Sequence, residues 1–192
     1  LSERERAERE ASNALLQAAR LIEMIDYWST ENERPFRLRP STVLELNRLA
    51  IDGLDAFAGN WRPGDIKISG SKHQPPAAHL VPELVEEMCV YVNDNWLGSR
   101  ATHLAAYTMW RMNWIHAFTD GNGRTARAVS YLVLSARLKM KIPGDPTSPE
   151  LITINRDPYY SALEKADNHQ SRGQIELGDM ETLLEGLLAK QL

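Results

Sequence analysis

The sequence predicts an all-α helical bundle with one short β-hairpin, built as a single folding unit. Apolar residues recur at helical spacing along most of the 192 residues, and alternation with a period of two occurs only around Ile66 and Ile68. Hydrophobic residues make up 43% of the chain and charged residues 25%, which is typical of a globular domain. No repeat or long linker divides the chain, and its length suits one domain with a substantial core.

The first half of the chain is predicted to contain two helices and the hairpin. Apolar residues at helical spacing predict a first helix over about 2–27. The helical pattern is then interrupted as far as Pro40, and Ser41 is a good N-cap for a second helix. Between 60 and 76, Gly and Pro punctuate short segments in which apolar and polar residues alternate, which predicts a hairpin or flap.

The second half is predicted to be helical throughout. Pro82 suits the first position of a third helix. The run from Thr102 to Ile115 is apolar on more than one face, which predicts a helix buried on most sides. After a glycine-rich break, a further apolar helix is predicted over 124–140; Asp157-Pro158 opens the next helix and Asp179 caps the last.

We expect these elements to form one unit with three parts: an N-terminal helix and linker over 1–40 that pack on the core, the core over 41–170, and a C-terminal helix over 171–192. The single cysteine, Cys89, excludes an internal disulfide and a cysteine-based zinc site, and a reducing, cytoplasmic location fits it. No apolar stretch approaches the ~20 residues of a membrane span. Because the chain begins with Leu1 rather than Met, we expect it to be a piece of a longer protein.

The charge of the chain disfavours nucleic acid as a partner. The formal net charge is −4, which gives no global basic field. A local basic cluster, Arg34, Arg37 and Arg39, is interleaved with prolines as in a linker. We therefore expect neither a nucleic-acid partner nor a membrane partner.

The segment from Ile115 to Val129, IHAFTDGNGRTARAV, contains an unusual concentration of polar side chains and glycines. Gly121-Asn122-Gly123 permits positive φ angles, so that successive backbone N–H groups can converge on an anion at the start of the next helix. Arg124 and Arg127 lie in the first turn of that helix, where cations oppose the helix dipole. A bound polyphosphate would offset that cost, because guanidinium groups bind phosphate oxygens in pairs.

Two further side chains of this segment suit the transfer of a phosphate-containing group. Asp120 is a hard oxygen ligand for Mg²⁺ beside the expected phosphates. His116, with an ordinary pKa of ~6.5, is the candidate base for an incoming hydroxyl. Phe118 is expected to point into the core and anchor the loop. Each feature alone is common in loops and at helix ends, but the combination predicts an active site.

These residues closely resemble the HPFx[DE]GNGRxxR signature of the Fic family: His116-Ala117-Phe118-Thr119-Asp120-Gly121-Asn122-Gly123-Arg124-Thr125-Ala126-Arg127. The resemblance implies a Fic-type helical bundle that transfers the AMP part of ATP, with Mg²⁺, onto a protein hydroxyl. It implies that His116 deprotonates the hydroxyl and that Asp120 holds Mg²⁺. It also implies a set of phosphate contacts: Asn122, the amides of Gly121 and Gly123, Arg124, and Arg127 at the γ-phosphate. Ala117 replaces the usual Pro and removes no chemical group, so we expect activity to survive.

The resemblance extends over about 41–167. Ile66–Pro76, IKISGSKHQPP, resembles the family's flap, whose edge aligns a target segment by strand addition. The resemblance implies two further groups of site residues: Gly70, Ser71, Lys72 and His73 over the nucleotide, and Tyr159, Tyr160 and Asp167 near the adenine and ribose, where relatives often carry Asn at the last position. A plain surface hairpin and packing tyrosines are the alternatives.

Many relatives of the family are restrained by an inhibitory helix with the motif [ST]xxxE[GN], whose Glu pairs with the second arginine. This sequence has no full match. Ser29–Glu33 has the first spacing but is followed by Arg34, and Leu183–Gly186 lacks the Ser or Thr. Either the domain is uninhibited, or a missing segment or partner chain restrains it. A second copy of the chain is another candidate partner, through the surface of Val81–Trp96.

The leading hypothesis is therefore a protein adenylyltransferase that modifies a Ser, Thr or Tyr hydroxyl of a target protein and releases pyrophosphate. The alternatives are removal of AMP, transfer of another phosphate-containing group, a nucleotide-binding module without turnover, and a helical nucleic-acid binder. His116 argues against a module that only binds, because such a module needs no base.

Overall fold

The computed structural model describes residues 1–30 and 35–192, and in this part of the chain α-helices are joined by loops. In chain order the helices are α1 (Glu3–Ser29), α2 (Pro40–Ile51), α3 (Val81–Asp94), α4 (Ala101–Ile115), α5 (Asn122–Leu138), α6 (Ser148–Ile154), α7 (Asp157–Gln170) and α8 (Gly178–Gln191). A 3₁₀ turn over Ala78–Leu80 leads into α3. The prediction of an all-α fold is confirmed.

Helices α4 and α5 form the centre of the fold. As predicted, α4 is buried on most sides, and Trp110 in its middle is 1% exposed. Small and β-branched residues of α5, such as Ala126 and Val129, are fully buried, and Ser130 Oγ donates to the Ala105 carbonyl of α4 at 2.8 Å. Each fully buried Val or Leu side chain contributes about 1.5–3 kcal/mol. The loop that joins α4 to α5 is therefore held at both ends by deeply buried helices.

The remaining helices pack around this pair. Helices α1 and α2 contact each other and α5, α3 contacts α4, and α8 contacts α4, α6 and α7. Two buried polar side chains fix α1 on α2: Asn13 Nδ2 donates to the Asp52 carbonyl and Gln17 Nε2 to the Leu46 carbonyl, both at 2.9 Å. This arrangement brings the start of α1 close to the loop between α4 and α5.

The structure corrects three details of the predicted helices. Ser41 is not the N-cap of α2, because Pro40 already occupies the first helical position and Arg39 precedes it with an extended backbone. Asp179 lies inside the first turn of α8 and does not cap it. Helix α6 was not predicted, because a seven-residue helix is too short to show a helical period.

The predicted hairpin is an extended loop, which we call the flap (Ile66–Pro76). Within the described residues the flap contains no β-strand. A turn brings Ser71 N to 3.3 Å from the Ile68 carbonyl, with Gly70 at φ 74°. The flap ends in Pro75 and Pro76, which have no N–H to donate, and two strands alone are marginally stable. The alternating pattern thus gives extended backbone without strand pairing.

Along residues 1–30 and 35–192, none of the helices combines the length and the apolar character that crossing a membrane requires. The division into parts at residues 40 and 170 stays a prediction, as does the contact of a second copy through Val81–Trp96.

Candidate active site

The loop between α4 and α5 begins with His116, the predicted base. Its backbone N–H donates to the Met112 carbonyl at 3.0 Å, so His116 closes α4. Its φ of 49° and ψ of 58° lie in the left-handed region, where a residue with a side chain costs of order 1 kcal/mol and needs support from its surroundings. The chain turns sharply here, and the His116 side chain lines two adjoining cavities.

The imidazole of His116 is mostly buried, and this burial lowers its pKa to about 4. The backbone of Asn113 opposes this shift, and Nδ1 of His116 is buried. Positive charge on Arg62 and His73 lowers the pKa further. The ring is therefore neutral near pH 7. Because Nδ1 is buried, Nε2 is the nitrogen available to accept a proton from the cavity.

Gly121 caps the start of α5 and must be glycine for two reasons. Its φ of 76° is in the left-handed region, and a Cβ on it would lie 2.8 Å from Ile51 Cγ2 and 3.1 Å from Asn47 Nδ2. Asn47 itself is fully buried on α2, and its Nδ2 donates to the Asp120 carbonyl at 3.1 Å. The loop is therefore pressed closely against α2.

Asn122 holds the loop from the other side. Its Oδ1 accepts from Phe118 N at 3.0 Å and its Nδ2 donates to the Phe118 carbonyl at 2.8 Å. Phe118 is fully buried, and its ring lies 5.3 Å from the ring of Trp61. Both ends of the Asn122 side-chain amide are thus engaged by the loop, which leaves one N–H of Nδ2 and the backbone N–H of Asn122 as possible donors to phosphate.

The start of α5 provides free N–H groups at the position that the sequence predicts. Thr125 N donates to the Gly121 carbonyl at 2.9 Å, which leaves the N–H groups of 122–124 without intrahelical partners. The Gly121 N–H donates to the Asp120 carboxylate, so it is not one of the donors expected for phosphate. The free N–H groups therefore begin at Asn122, at the positive end of the helix dipole, and their contact with an anion stays a prediction.

Three arginines, Arg124, Arg127 and Arg156, line the first cavity, which has a volume of about 460 Å³. Arg124 donates to the Ala50 carbonyl at 3.1 Å and to Asp120 Oδ2 at 3.3 Å. Arg127 forms no ion pair with any of the described residues, and burial lowers its pKa, an effect to which the charges of Arg156 and Arg124 add. A partly buried cation without a carboxylate partner among the described residues favours a bound anion.

Asp120 lies at the rim of the same cavity. One carboxylate oxygen accepts from the Gly121 N–H, and the other lies 3.3 Å from Arg124 Nη2 and 3.9 Å from Arg6 Nη2. Among the described residues there is no cluster of three or more His, Cys, Asp or Glu that could hold a metal. A Mg²⁺ ion commonly takes one or two carboxylates and completes its shell with phosphate oxygens and water. Asp120, a partly exposed hard oxygen donor beside a phosphate-sized cavity, fits that donor set.

The second cavity, of about 540 Å³, lies between the flap and α7. It shares His116, Gly123, Arg127 and Tyr160 with the first cavity. The predicted cover and pocket residues that line it are Gly70, Ser71, His73, Tyr159, Tyr160 and Asp167. Lys72 is exposed and lines neither cavity. The first cavity is therefore basic and the second is partly aromatic. His116 lies where the two cavities meet.

The two tyrosines differ in their surroundings. Tyr159 is 2% exposed, its hydroxyl accepts from Asn113 Nδ2 at 2.7 Å, and burial raises its pKa. Tyr160 is 50% exposed and lines both cavities. Tyr159 is thus largely a packing residue, as in the alternative interpretation, and Tyr160 is the better placed of the two for a ligand.

A polar contact ties the flap to the floor of the second cavity. His73 Nε2 lies 2.7 Å from the Trp114 carbonyl, and its Nδ1 lies 3.9 Å from Asp167 Oδ2. The other Asp167 oxygen accepts from Trp110 Nε1 at 2.9 Å. Burial raises the pKa of Asp167, and the Trp110 hydrogen bond opposes this. The resemblance places His73 over the nucleotide and Asp167 near the adenine and ribose, and in the structure these two side chains lie close together.

Sequence reasoning missed several residues around the site. Arg156 and Glu10 line the first cavity, Asn47 holds the loop beside it, and Asn113 lines the second cavity. Asn47 could have been found as a polar residue within an apolar helical pattern. No local signal exists for Glu10 or Arg156, because they reach the cavity from α1 and from the residue that precedes α7.

Neither candidate inhibitory segment of the sequence contacts Arg127 within the described residues. The first candidate is Ser29–Glu33, followed by Arg34. Residues 31–34 of this segment lie outside the described part of the chain. Glu185 lies on α8 and forms an ion pair with Arg100 at 3.2 Å.

Comparison with known proteins identifies relatives of this chain. The family model of the Fic/DOC family matches residues 37–134. The chain is 33% identical to a protein adenylyltransferase Fic of Nematostella vectensis over 138 residues, which cover 68% of this chain and 29% of the relative. It is 28% identical to a probable protein adenylyltransferase of Aquifex aeolicus over 165 residues, which cover 77% of this chain and 46% of the relative. The chain thus spans less than half the length of either relative.

Solved structures share the fold. A Fic domain containing signaling protein from Bacteroides thetaiotaomicron superposes with a TM-score of 0.70 at 22% sequence identity, over 93% of this chain and 67% of that protein. Fic-1 from C. elegans, residues 134–508, superposes with a TM-score of 0.66 at 21% identity, over 95% of this chain and 48% of that one. These similarities concern the arrangement of the helices.

Proposed function

Since this chain belongs to the Fic/DOC family, we propose that it is a protein adenylyltransferase, which moves AMP from ATP to a Ser, Thr or Tyr hydroxyl of a target protein and releases pyrophosphate. The observation that carries the proposal is the position of His116 where a cavity lined by arginines meets a cavity lined by aromatic side chains. A nucleoside triphosphate has an anionic polyphosphate, which suits the cavity lined by arginines, and an aromatic base, which suits the cavity lined by aromatic side chains. The names of the Nematostella and Aquifex relatives support the same reaction.

The polyphosphate would bind in the basic cavity. The N–H groups of 122–124 and the guanidinium groups of Arg124, Arg127 and Arg156 surround this space. Arg127 would contact the γ-phosphate, which supplies the anion that this partly buried cation lacks. Asp120 would hold Mg²⁺, whose charge would stabilise negative charge on the phosphate oxygens when the ion is bound. Arg124 already donates to Asp120, and both side chains line the cavity.

The base and ribose would bind in the second cavity, under the flap. Tyr160 and Asp167 line one wall, and Gly70, Ser71 and His73 line the other. The flap is extended and unpaired within the described residues, so its backbone can accept a target segment as an added strand. This placement would bring the target hydroxyl to the junction at His116.

In the proposed step, the target hydroxyl oxygen attacks the α-phosphorus. The bond from that phosphorus to the oxygen bridging to the β-phosphate breaks, and pyrophosphate leaves with the electron pair. The hydroxyl proton passes to Nε2 of His116. The bound polyanion opposes the effects of burial and of Arg62, and thus raises the pKa of His116 from about 4 towards the working pH.

The test uses ATP that is labelled on either the α-phosphate or the γ-phosphate, with Mg²⁺ and a cell lysate as a source of acceptor hydroxyls. His116→Ala is the test variant, and His79→Ala, at an exposed histidine, is the matched control. We expect protein to retain the α-label and no γ-label, with a loss of about 10²–10⁴-fold in His116→Ala and none in His79→Ala.

Other outcomes would point to other functions. Retention of the γ-label would indicate phosphate transfer. Binding of ATP with neither label retained would contradict AMP transfer, and would leave the removal of AMP, another donor, or a module that only binds nucleotide.

A further inference from the structure

Arg62, in the segment between α2 and the flap, has contacts that sequence reasoning did not anticipate. The residue is 2% exposed and its side chain is fully buried. Its Nε donates to the His116 carbonyl and its Nη1 to the Gly64 carbonyl, both at 2.9 Å, and its Nη2 donates to the Pro76 carbonyl. One guanidinium thus binds the backbone of the candidate base and the backbone on both sides of the flap.

A second contact reinforces the first. The backbone N–H of Arg62 donates to the Ala117 carbonyl at 2.9 Å, so Arg62 holds two consecutive carbonyls of the loop between α4 and α5. His116 has a left-handed backbone, which persists only where neighbouring groups fix it. Near Arg62, Asp65 Oδ1 lies 3.7 Å from Nη1 and also accepts from Ala78 N at 2.7 Å. The roots of the flap and the turn at His116 are therefore one hydrogen-bonded unit.

We propose that Arg62 is a positioning residue for His116, which couples the orientation of the base to the placement of the flap over the nucleotide. This inference rests on the proposed function, in which His116 is the base and the flap covers the second cavity. A guanidinium is needed because its planar fork directs donors at three carbonyls at once, whereas the ammonium of lysine is a compact group without that fork. The coupling means that a displaced flap also displaces the base.

The experiment compares wild type with Arg62→Lys, which keeps the charge and loses the fork. The matched control is Arg137→Lys. Arg137 Nη2 also donates to loop carbonyls, those of Leu97 and Ser99, but it lies near the other end of α5, about 20 Å along the helix from Arg124. Three quantities are measured at a temperature where every variant is folded: the NMR signal of the His116 ring, hydrogen exchange of the flap amides, and kcat and KM for ATP.

In Arg62→Lys we expect a shifted His116 signal, faster exchange in the flap, and a kcat about 100-fold lower, with a smaller rise in KM. Arg137→Lys should match wild type within about twofold in each measurement. An Arg62→Lys protein that is folded, with the His116 signal and kcat of wild type, would overturn the inference and leave Arg62 as a purely structural anchor.

Two further arms keep the test decisive. If Arg62→Lys does not fold, Arg62→Gln retains two donors and is measured instead. It also removes the charge, so the pKa of His116 should be higher than in wild type. If wild type transfers no AMP, the proposed function fails, but the His116 signal and the flap exchange still decide whether Arg62 couples them.

Discussion

Replacing Gly121 by alanine tests the packing that shapes the anion site. An alanine at its φ of 76° costs about 1–2 kcal/mol. The added Cβ would also lie 2.8 Å from Ile51 Cγ2 and 3.1 Å from Asn47 Nδ2, and such an overlap in a packed region costs about 1–3 kcal/mol. Reduced freedom of the unfolded chain returns about 0.4–1 kcal/mol. We therefore expect Gly121→Ala to lower the free energy of unfolding by about 1–4.6 kcal/mol, with a central value of about 3 kcal/mol.

Gly173→Ala is the matched control. Gly173 has a φ of 73°, but a Cβ there would meet no atom within 4 Å. Only the backbone cost remains, so the loss should be about 1 kcal/mol. Both variants are measured by urea denaturation, with binding of an ATP analogue as a second readout. Equal losses in the two variants would refute the close contact of Gly121 with α2. Unchanged analogue binding by a destabilised Gly121→Ala would refute the statement that this contact shapes the anion site.

Three other changes test the site. The pKa of His116 falls from an unfolded value near 6.5 to about 4, so its contribution to stability is complete above pH 6.5 and is lost as the pH falls towards 4. Urea denaturation at pH 7 and at pH 4 should show His116→Gln losing this dependence, of order 3 kcal/mol. Arg127→Met removes a partly buried cation without an ion pair among the described residues, so it should raise Tm while weakening analogue binding about 10–100-fold. Asn122→Ala leaves buried Phe118 backbone groups without partners and should lower the free energy of unfolding by about 3 kcal/mol.

Each of these three expectations has a contrary result. Parallel pH profiles of wild type and His116→Gln would mean that the imidazole is not buried. A less stable Arg127→Met with unchanged analogue binding would mean that Arg127 supports the fold and does not bind phosphate. Wild-type stability in Asn122→Ala would mean that the loop has other supports.

The sequence predicts the helices well because their apolar faces are long and continuous. It fails for α6, with seven residues, and for the flap, where alternation encodes extended backbone but cannot say whether a partner strand is present. Capping is also poorly predicted, because Pro40 and Ser41 are both plausible starts of α2 and only the backbone decides between them.

The candidate site was predictable where its residues are consecutive. His116, Asp120 and the start of α5 lie in one segment, so their proximity follows from the sequence. Arg156 and Arg62 could not be found in this way, because they reach the loop through tertiary packing of separate segments. The engagement of the Asn122 amide by Phe118 likewise depends on how the loop folds back on itself.

In the proposed function, His116 directs AMP from ATP onto a protein hydroxyl at the junction of the two cavities. The most direct test measures protein-bound AMP and released pyrophosphate in the same reaction, for wild type and His116→Ala. The proposed function predicts equal amounts of the two products in wild type, and a loss of both by about 10²–10⁴-fold in His116→Ala. Pyrophosphate without protein-bound AMP, or undiminished transfer in His116→Ala, would contradict it.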